Sequence, residues 1–103
     1  MNANLPPALT TDLLRFIDVS PSPWHAVANV AARLDAAGFV RLDEQQPWVL
    51  QPGQGVYVVR DGSALIAARI GTADQGARII GAHTDSPGLR VKTQGVHASG
   101  GYV

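Results

Sequence analysis

The hydrophobic pattern near the start of the chain predicts two helices. Thr10 and Thr11 precede the apolar run LLRFI, and Asp12 falls in the expected first turn, so a short helix is predicted to begin there. Pro21 and Pro23 set its limit, because proline disfavours helical geometry in the residue before it. The first helix is therefore expected to end before Pro21.

The second helix has the clearest local pattern in the chain. Ser22 is placed to cap it, Pro23 occupies its first position, and Gly38 follows its end. Its apolar positions recur at spacings of three and four residues, as on one helix face: Val27, Val30, Ala31 and Leu34.

The pattern then changes to that of β-strands. A short strand is predicted at 39–42. Residues 55–59 and 64–70 flank Asp61-Gly62, a hairpin signal because glycine tolerates positive φ. Residues 77–82 have an apolar core without alternation, which is typical of a strand buried on both faces of a sheet. The order of elements predicts an α/β fold in which N-terminal helices precede the strands of a mixed sheet.

Composition narrows the class of protein further. The 103 residues are 46% hydrophobic and 16% charged, with a net charge of zero, and the basic residues are scattered rather than clustered. Nucleic-acid binding is therefore not expected, and no apolar stretch approaches the roughly 18 residues of a membrane span. The chain has no cysteine, and its start lacks the features of a secretory signal, so a cytoplasmic location is expected.

The end of the last predicted strand contains His83 and Asp85. In open α/β sheets, functional groups gather beyond the carboxyl ends of the strands. A neutral imidazole is a common zinc ligand, and its second nitrogen usually donates to a carboxylate that fixes the tautomer. His83 is thus a candidate metal ligand and Asp85 its orienting partner. On the residues alone, an ordinary histidine followed by an Asp-Ser-Pro-Gly turn remains the alternative.

Other catalytic motifs are missing from the sequence. It contains no G-x-S-x-G, no H-E-x-x-H and no phosphate-binding G-x-x-x-x-G-K. His25, at the start of the second helix, is interpreted as a partly buried neighbour of the cap, with a metal ligand or a subunit contact as alternatives. His97 lies in a Gly/Ser-rich stretch and gives weaker grounds for a function. Trp24 and Trp48 are interpreted as packing aromatics.

Two longer motifs give the chemistry a more specific context. They are SPSPWHAV at residues 20–27 and GAHTDSPGLRVK at residues 81–92. With both, the chain resembles the aspartyl aminopeptidase family of cocatalytic zinc metallopeptidases. The resemblance implies a site with two zinc ions that hydrolyses the first peptide bond of a peptide, with a preference for acidic N-terminal residues. By this resemblance, His83 matches the family's first zinc ligand, and Asp85 matches the catalytic aspartate that orients this ligand.

The resemblance also implies that residues 1–103 are the N-terminal portion of a metallo-aminopeptidase catalytic domain. The family's other ligands, its glutamate base and its inserted oligomerisation domain lie in segments that this sequence does not contain. Apolar character returns at Tyr102-Val103, as if an element were cut short. The intact enzyme is expected to act on peptides as a homo-oligomer, whereas the 103-residue chain is expected to be inactive alone. It is also expected to associate through strand 77–83. A self-contained, non-catalytic binding module is the alternative.

Overall fold

The computed structural model describes residues 7–101. Two helices, α1 (Pro7–Asp18) and α2 (Pro23–Ala36), precede three strands, β1 (Val40–Arg41), β2 (Gly55–Arg60) and β3 (Ala64–Arg69). The strands lie in the order β1-β2-β3, with β1 parallel and β3 antiparallel to β2. The predicted arrangement, helices followed by a mixed sheet in an α/β fold, is confirmed. The apolar pair at 102–103 lies outside the described residues.

Helix α2 begins as its sequence predicts. Ser22 has extended backbone geometry (φ −143°), and its Oγ accepts a hydrogen bond from the His25 N–H at 3.3 Å. Gly38, with φ +81°, lies just beyond the helix end, in the left-handed region that glycine adopts without strain. The limits of α2 are thus set by residues that can be recognised locally.

Helix α1 starts earlier than predicted. It includes Pro7, three residues before Thr10, so Asp12 lies in its middle rather than in its first turn. Proline is tolerated in a first helical turn, because the N–H it lacks has no partner inside the helix there. Asp12 instead accepts two hydrogen bonds of 2.8 Å from the Arg33 guanidinium, which joins α1 to α2.

The small core lies between α2 and β2. Val27 of α2 is buried, as are Val56 and Tyr57 of β2. The Tyr57 hydroxyl donates to Asp35 Oδ1 at 2.7 Å, so a polar bond accompanies the apolar contact between helix and strand. Because β2 is also the central strand, α2 is held against the middle of the sheet.

The turn between β2 and β3 has the predicted hairpin geometry. Asp61 and Gly62 both have positive φ, at 51° and 64°, as a type I′ turn requires. The Ser63 N–H closes the turn by donating to the Arg60 carbonyl at 3.1 Å. The turn contacts a residue from each of the two motifs, Trp24 and Thr84.

The strand expected at 77–82 does not form among the described residues. The segment is irregular, and Ile79 and Ile80 are 89% and 98% exposed. A strand buried on both faces needs hydrogen-bonding neighbours, and within residues 7–101 none of the three strands pairs with it. The prediction of a strand was wrong. An apolar composition indicates that a segment favours burial, but a strand also needs neighbouring strands to pair with, and the segment's own residues do not specify them. Among residues 7–101, no helix is long and apolar enough to cross a membrane.

Candidate functional site

His83 and Asp85 lie side by side on the segment that follows β3. His83 Nδ1 is 3.2 Å from Asp85 Oδ1 and 2.6 Å from the Asp85 carbonyl oxygen. Both oxygens are acceptors, so the neutral ring satisfies them with its proton on Nδ1. Nε2 then keeps its lone pair and is the nitrogen able to bind a metal ion. Both side chains are more than three-quarters exposed.

The peptide between the two residues is tied to the hairpin. Thr84 Oγ1 donates to the Ser63 carbonyl at 2.8 Å, which fixes the segment at the β2–β3 turn. Because Thr84 lies between His83 and Asp85 in the chain, this single bond limits the position of both. Thr84 could not be identified from the sequence, since neither its type nor its spacing indicates a partner 21 residues away.

Trp24 of the first motif meets the same turn. Its indole Nε1–H donates to the Asp61 carbonyl at 3.2 Å. The guanidinium of Arg90, from the second motif, lies 4.9 Å from the centre of the Trp24 ring, within the range of a cation–π interaction. The two motifs, far apart in sequence, thus converge on one hairpin turn. Trp24 is 44% exposed, so it is less buried than a packing aromatic was predicted to be, and its contacts connect these two motifs.

The remaining histidines do not complete a metal centre in the described chain. His25 is exposed, and its Nδ1 lies 2.6 Å from Ser22 Oγ, so it is a neighbour of the cap but is less buried than predicted. Among residues 7–101, no three His, Asp or Glu side chains are grouped so that they could hold a metal ion. The structure therefore brings His83 and Asp85 together, but not with His25 and His97 as a cluster of ligands.

An open groove of about 1820 Å³ lies beside the pair. Its walls come from both helices, from β3 and from the segment after it, and they include Phe16, Val30 and Ile79. His83 and Asp85 contribute to the wall formed by the later segment. Chemically, the groove combines an apolar surface with one imidazole, one carboxylate and two arginines, Arg69 and Arg78.

Comparison with known proteins identifies the family. The model for the Aminopeptidase I zinc metalloprotease (M18) family matches residues 16–103, which include both motifs and all three strands. The chain belongs to the M18 family. The expected resemblance to metallo-aminopeptidases is thereby confirmed at the level of the family.

Individual M18 relatives agree with this assignment. The chain is 50% identical over 90 residues to the probable M18 family aminopeptidase 2 of Pseudomonas putida (strain GB-1), covering 84% of this chain. It is 49% identical over 89 residues to the protein of that name from Azotobacter vinelandii, with the same coverage. It spans 21% of the length of each of these curated relatives.

A solved structure supports the fold of this M18 segment. A chain in the cryo-EM structure of the Ape4 and Nbr1 complex is 39% identical and superimposes with a TM-score of 0.54. The match covers 55% of this chain and 11% of that one. The likeness therefore concerns a limited part of a much longer protein.

Proposed function

We propose that this chain is the N-terminal portion of the catalytic domain of a zinc-dependent aminopeptidase, which removes N-terminal residues from peptides. Membership of the M18 family supports the reaction class. The observation that carries the proposal is the pairing of His83 Nδ1 with Asp85 Oδ1 and the Asp85 carbonyl oxygen. That pairing leaves Nε2 as the metal-binding nitrogen within the motif GAHTDSP.

His83 would hold one zinc ion through Nε2, and Asp85 would keep the imidazole in the required tautomer and orientation. Bound zinc supplies Lewis-acid polarisation of the peptide carbonyl and activation of a water molecule. The donor set fits this role in part, because imidazole is a preferred zinc ligand and a carboxylate is its common partner. His83 would accordingly bind the metal, and Asp85 would orient His83.

His83 and Asp85 alone are too few to form a catalytic zinc site. A catalytic zinc site has about three protein ligands and an open position, and the described residues contain no group of three. The other ligands and a proton-transferring base would come from segments equivalent to the remaining four-fifths of the relatives. Four further features stay predictions from the sequence and its family resemblance: two zinc ions, a preference for acidic N-terminal residues, a homo-oligomeric assembly and a cytoplasmic location.

A graft provides the direct test of His83. Replacing the matching segment of the Pseudomonas putida relative with this chain should give a zinc-containing protein that hydrolyses aminoacyl p-nitroanilides. His83→Ala in the graft should remove zinc and activity, while His25→Ala and His97→Ala serve as matched histidine controls. Circular dichroism establishes that each variant folds.

Two outcomes would contradict the proposal. The first is a folded His83→Ala graft that keeps its zinc content and activity, since His83 would then not be a ligand. The second is hydrolysis by the purified 103-residue chain itself, abolished by a chelator and restored by zinc, because the site would then be complete within these residues. Loss of zinc in the His25→Ala graft would add His25 to the site.

A further inference from the structure

Trp24 contacts Arg90 directly and is connected to Thr84 through the β2–β3 turn, so it is linked to the segment on both sides of Asp85. We infer that Trp24 is a positioning residue for this pair, acting through the β2–β3 turn. The inference rests on the proposed function, because it assigns to Trp24 the task of holding a metal ligand and its partner. Trp24 itself touches neither His83 nor Asp85 through any hydrogen bond found among the described residues.

The first link is between Trp24 and the turn. The indole N–H donates to the Asp61 carbonyl, and the ring lies so close to Gly62 that a Cβ there would be 3.2 Å from Cδ1. Gly62 also has φ +64°, a conformation that side chains other than glycine rarely adopt. The indole ring therefore packs against the turn at Gly62, where there is no side chain.

The second link is between the turn and the candidate site. The Ser63 carbonyl accepts a hydrogen bond from Thr84 Oγ1 at 2.8 Å. Ser63 directly follows Asp61 and Gly62, the two turn residues that Trp24 contacts. A displacement of the turn would thus move the acceptor of the bond that fixes the backbone between His83 and Asp85. The turn thus connects the first motif to the pair through two hydrogen bonds.

The third link bypasses the turn. Arg90, five residues after Asp85 in the sequence, places its guanidinium 4.9 Å from the Trp24 ring centre. Thr84 on one side and Arg90 on the other therefore bracket Asp85 and the Ser-Pro-Gly sequence. Since the segment has no strand or helix of its own, such side-chain contacts must determine its position.

Trp48 offers a matched control for Trp24. It too donates its indole N–H to a backbone carbonyl, that of Asp43, at 2.7 Å, and it is 45% exposed against 44% for Trp24. Its bond is local, spanning five residues, whereas that of Trp24 spans 37. A Trp→Leu change at each position removes the same kind of side chain and bond, but only Trp24 connects the motifs.

The test uses NMR of the metal-free 103-residue chain, comparing Trp24→Leu, Trp24→Phe and Trp48→Leu with the wild type. The Arg90 side-chain protons should be shifted upfield by the ring current in the wild type. Trp24→Leu should abolish that shift and lower the heteronuclear NOE across residues 83–90, while the NOE of Tyr57 stays high. Trp24→Phe should retain the Arg90 shift because it keeps an aromatic face, and Trp48→Leu should change neither signal.

An Arg90 shift absent from the wild type, or a segment equally ordered in Trp24→Leu, would overturn the inference. If Trp24→Leu also lowers the NOE of Tyr57, Thr84→Val decides: it should release residues 83–85 while the Arg90 shift persists. Unchanged order at 83–85 in Thr84→Val would overturn the inference, and Thr84→Ser should restore the wild-type order.

Zinc retention in the graft then links position to function. Trp24→Leu should accelerate the loss of zinc to a chelator by roughly tenfold, the lower end of what outer partners of a ligand contribute. Trp24→Phe should recover most of that loss, and Trp48→Leu should have no effect. Unaltered zinc loss in Trp24→Leu would refute the positioning role, whereas retention of zinc in His83→Ala would refute the proposed function and leave the NMR result intact.

Discussion

Tyr57 on β2 and Asp35 on α2 are joined by a hydrogen bond of 2.7 Å from the phenol to Oδ1. Tyr57 is only 3% exposed and belongs to the small core, so this bond fixes the helix on the central strand. We predict that Tyr57→Phe lowers the free energy of unfolding, because it leaves the Asp35 carboxylate without this donor. Urea denaturation of the 103-residue chain measures the change.

Asp35 provides the control for that bond. Asp35→Asn retains an acceptor oxygen and should be tolerated better than Asp35→Ala, which has none. In a double-mutant cycle, Tyr57→Phe should add little to Asp35→Ala, since the bond can be lost only once. Additive effects of the two changes would mean that they act separately and that the bond contributes nothing to stability.

The same pair predicts a loss of stability in alkaline solution. The hydrogen bond to Asp35, then burial and the carboxylate charge, raise the pKa of the Tyr57 phenol above its usual value of about 10. Because the folded state favours the neutral phenol, the stabilisation is present below the unfolded pKa and is lost as pH rises through the folded pKa. Urea midpoints measured from pH 8 upwards should therefore fall more steeply for the wild type than for Tyr57→Phe. Parallel curves would contradict this linkage.

Gly55 and Phe39 predict a packing effect. A Cβ on Gly55 would lie 2.8 Å from Phe39 Cγ, and the Arg69 guanidinium lies 4.7 Å from the centre of the same ring. The ring therefore has little freedom to withdraw, and Gly55→Ala should destabilise the fold by about 1–3 kcal/mol, as overpacking does. Gly71→Ala is the control: its Cβ meets nothing within 4 Å, and a change of about 0.5 kcal/mol or less is expected. Equal thermal midpoints for the two variants would refute the packing argument.

Local signals determine how well each element can be predicted from the sequence. The start of α2 follows from Ser22 and Pro23, and the hairpin follows from Asp61-Gly62, because these residues set the backbone geometry where they stand. The segment 77–82 shows the limit, since a strand depends on hydrogen-bonding partners that its own residues do not specify.

The candidate site divides in the same way. His83 and Asp85 are two residues apart, so their contact could be anticipated from spacing alone. The contact between Trp24 and Asp61 spans 37 residues and depends on how α2 packs on the sheet. Trp24 could therefore be expected to pack, but its partners follow only from the three-dimensional arrangement.

The cap of α2 gives a prediction at the first motif. Ser22 Oγ accepts from the His25 N–H, and a serine cap replaced by alanine typically costs about 1 kcal/mol. Ser22→Ala should lower stability by that amount, whereas Ser22→Asp, which restores an acceptor, should recover most of it. Ser86→Ala is a matched control, because the Ser86 side chain makes no hydrogen bond among the described residues. A Ser22→Ala chain as stable as the control would show that the cap is dispensable.

The edge of the sheet predicts self-association of the 103-residue chain. Strand β3 is the last of the three described strands, and its Ile66 is 77% exposed. An exposed apolar edge strand can pair with a second copy, and a lysine there discourages such pairing. Ile66→Lys should therefore shift the mass in sedimentation equilibrium towards the monomer. Ile79→Lys, at an exposed position of the irregular segment, should leave association unchanged. If Ile79→Lys instead of Ile66→Lys reduced association, the contact would lie at residues 77–83, as the apolar pattern of the sequence predicts. A monomer at every concentration would contradict both sites.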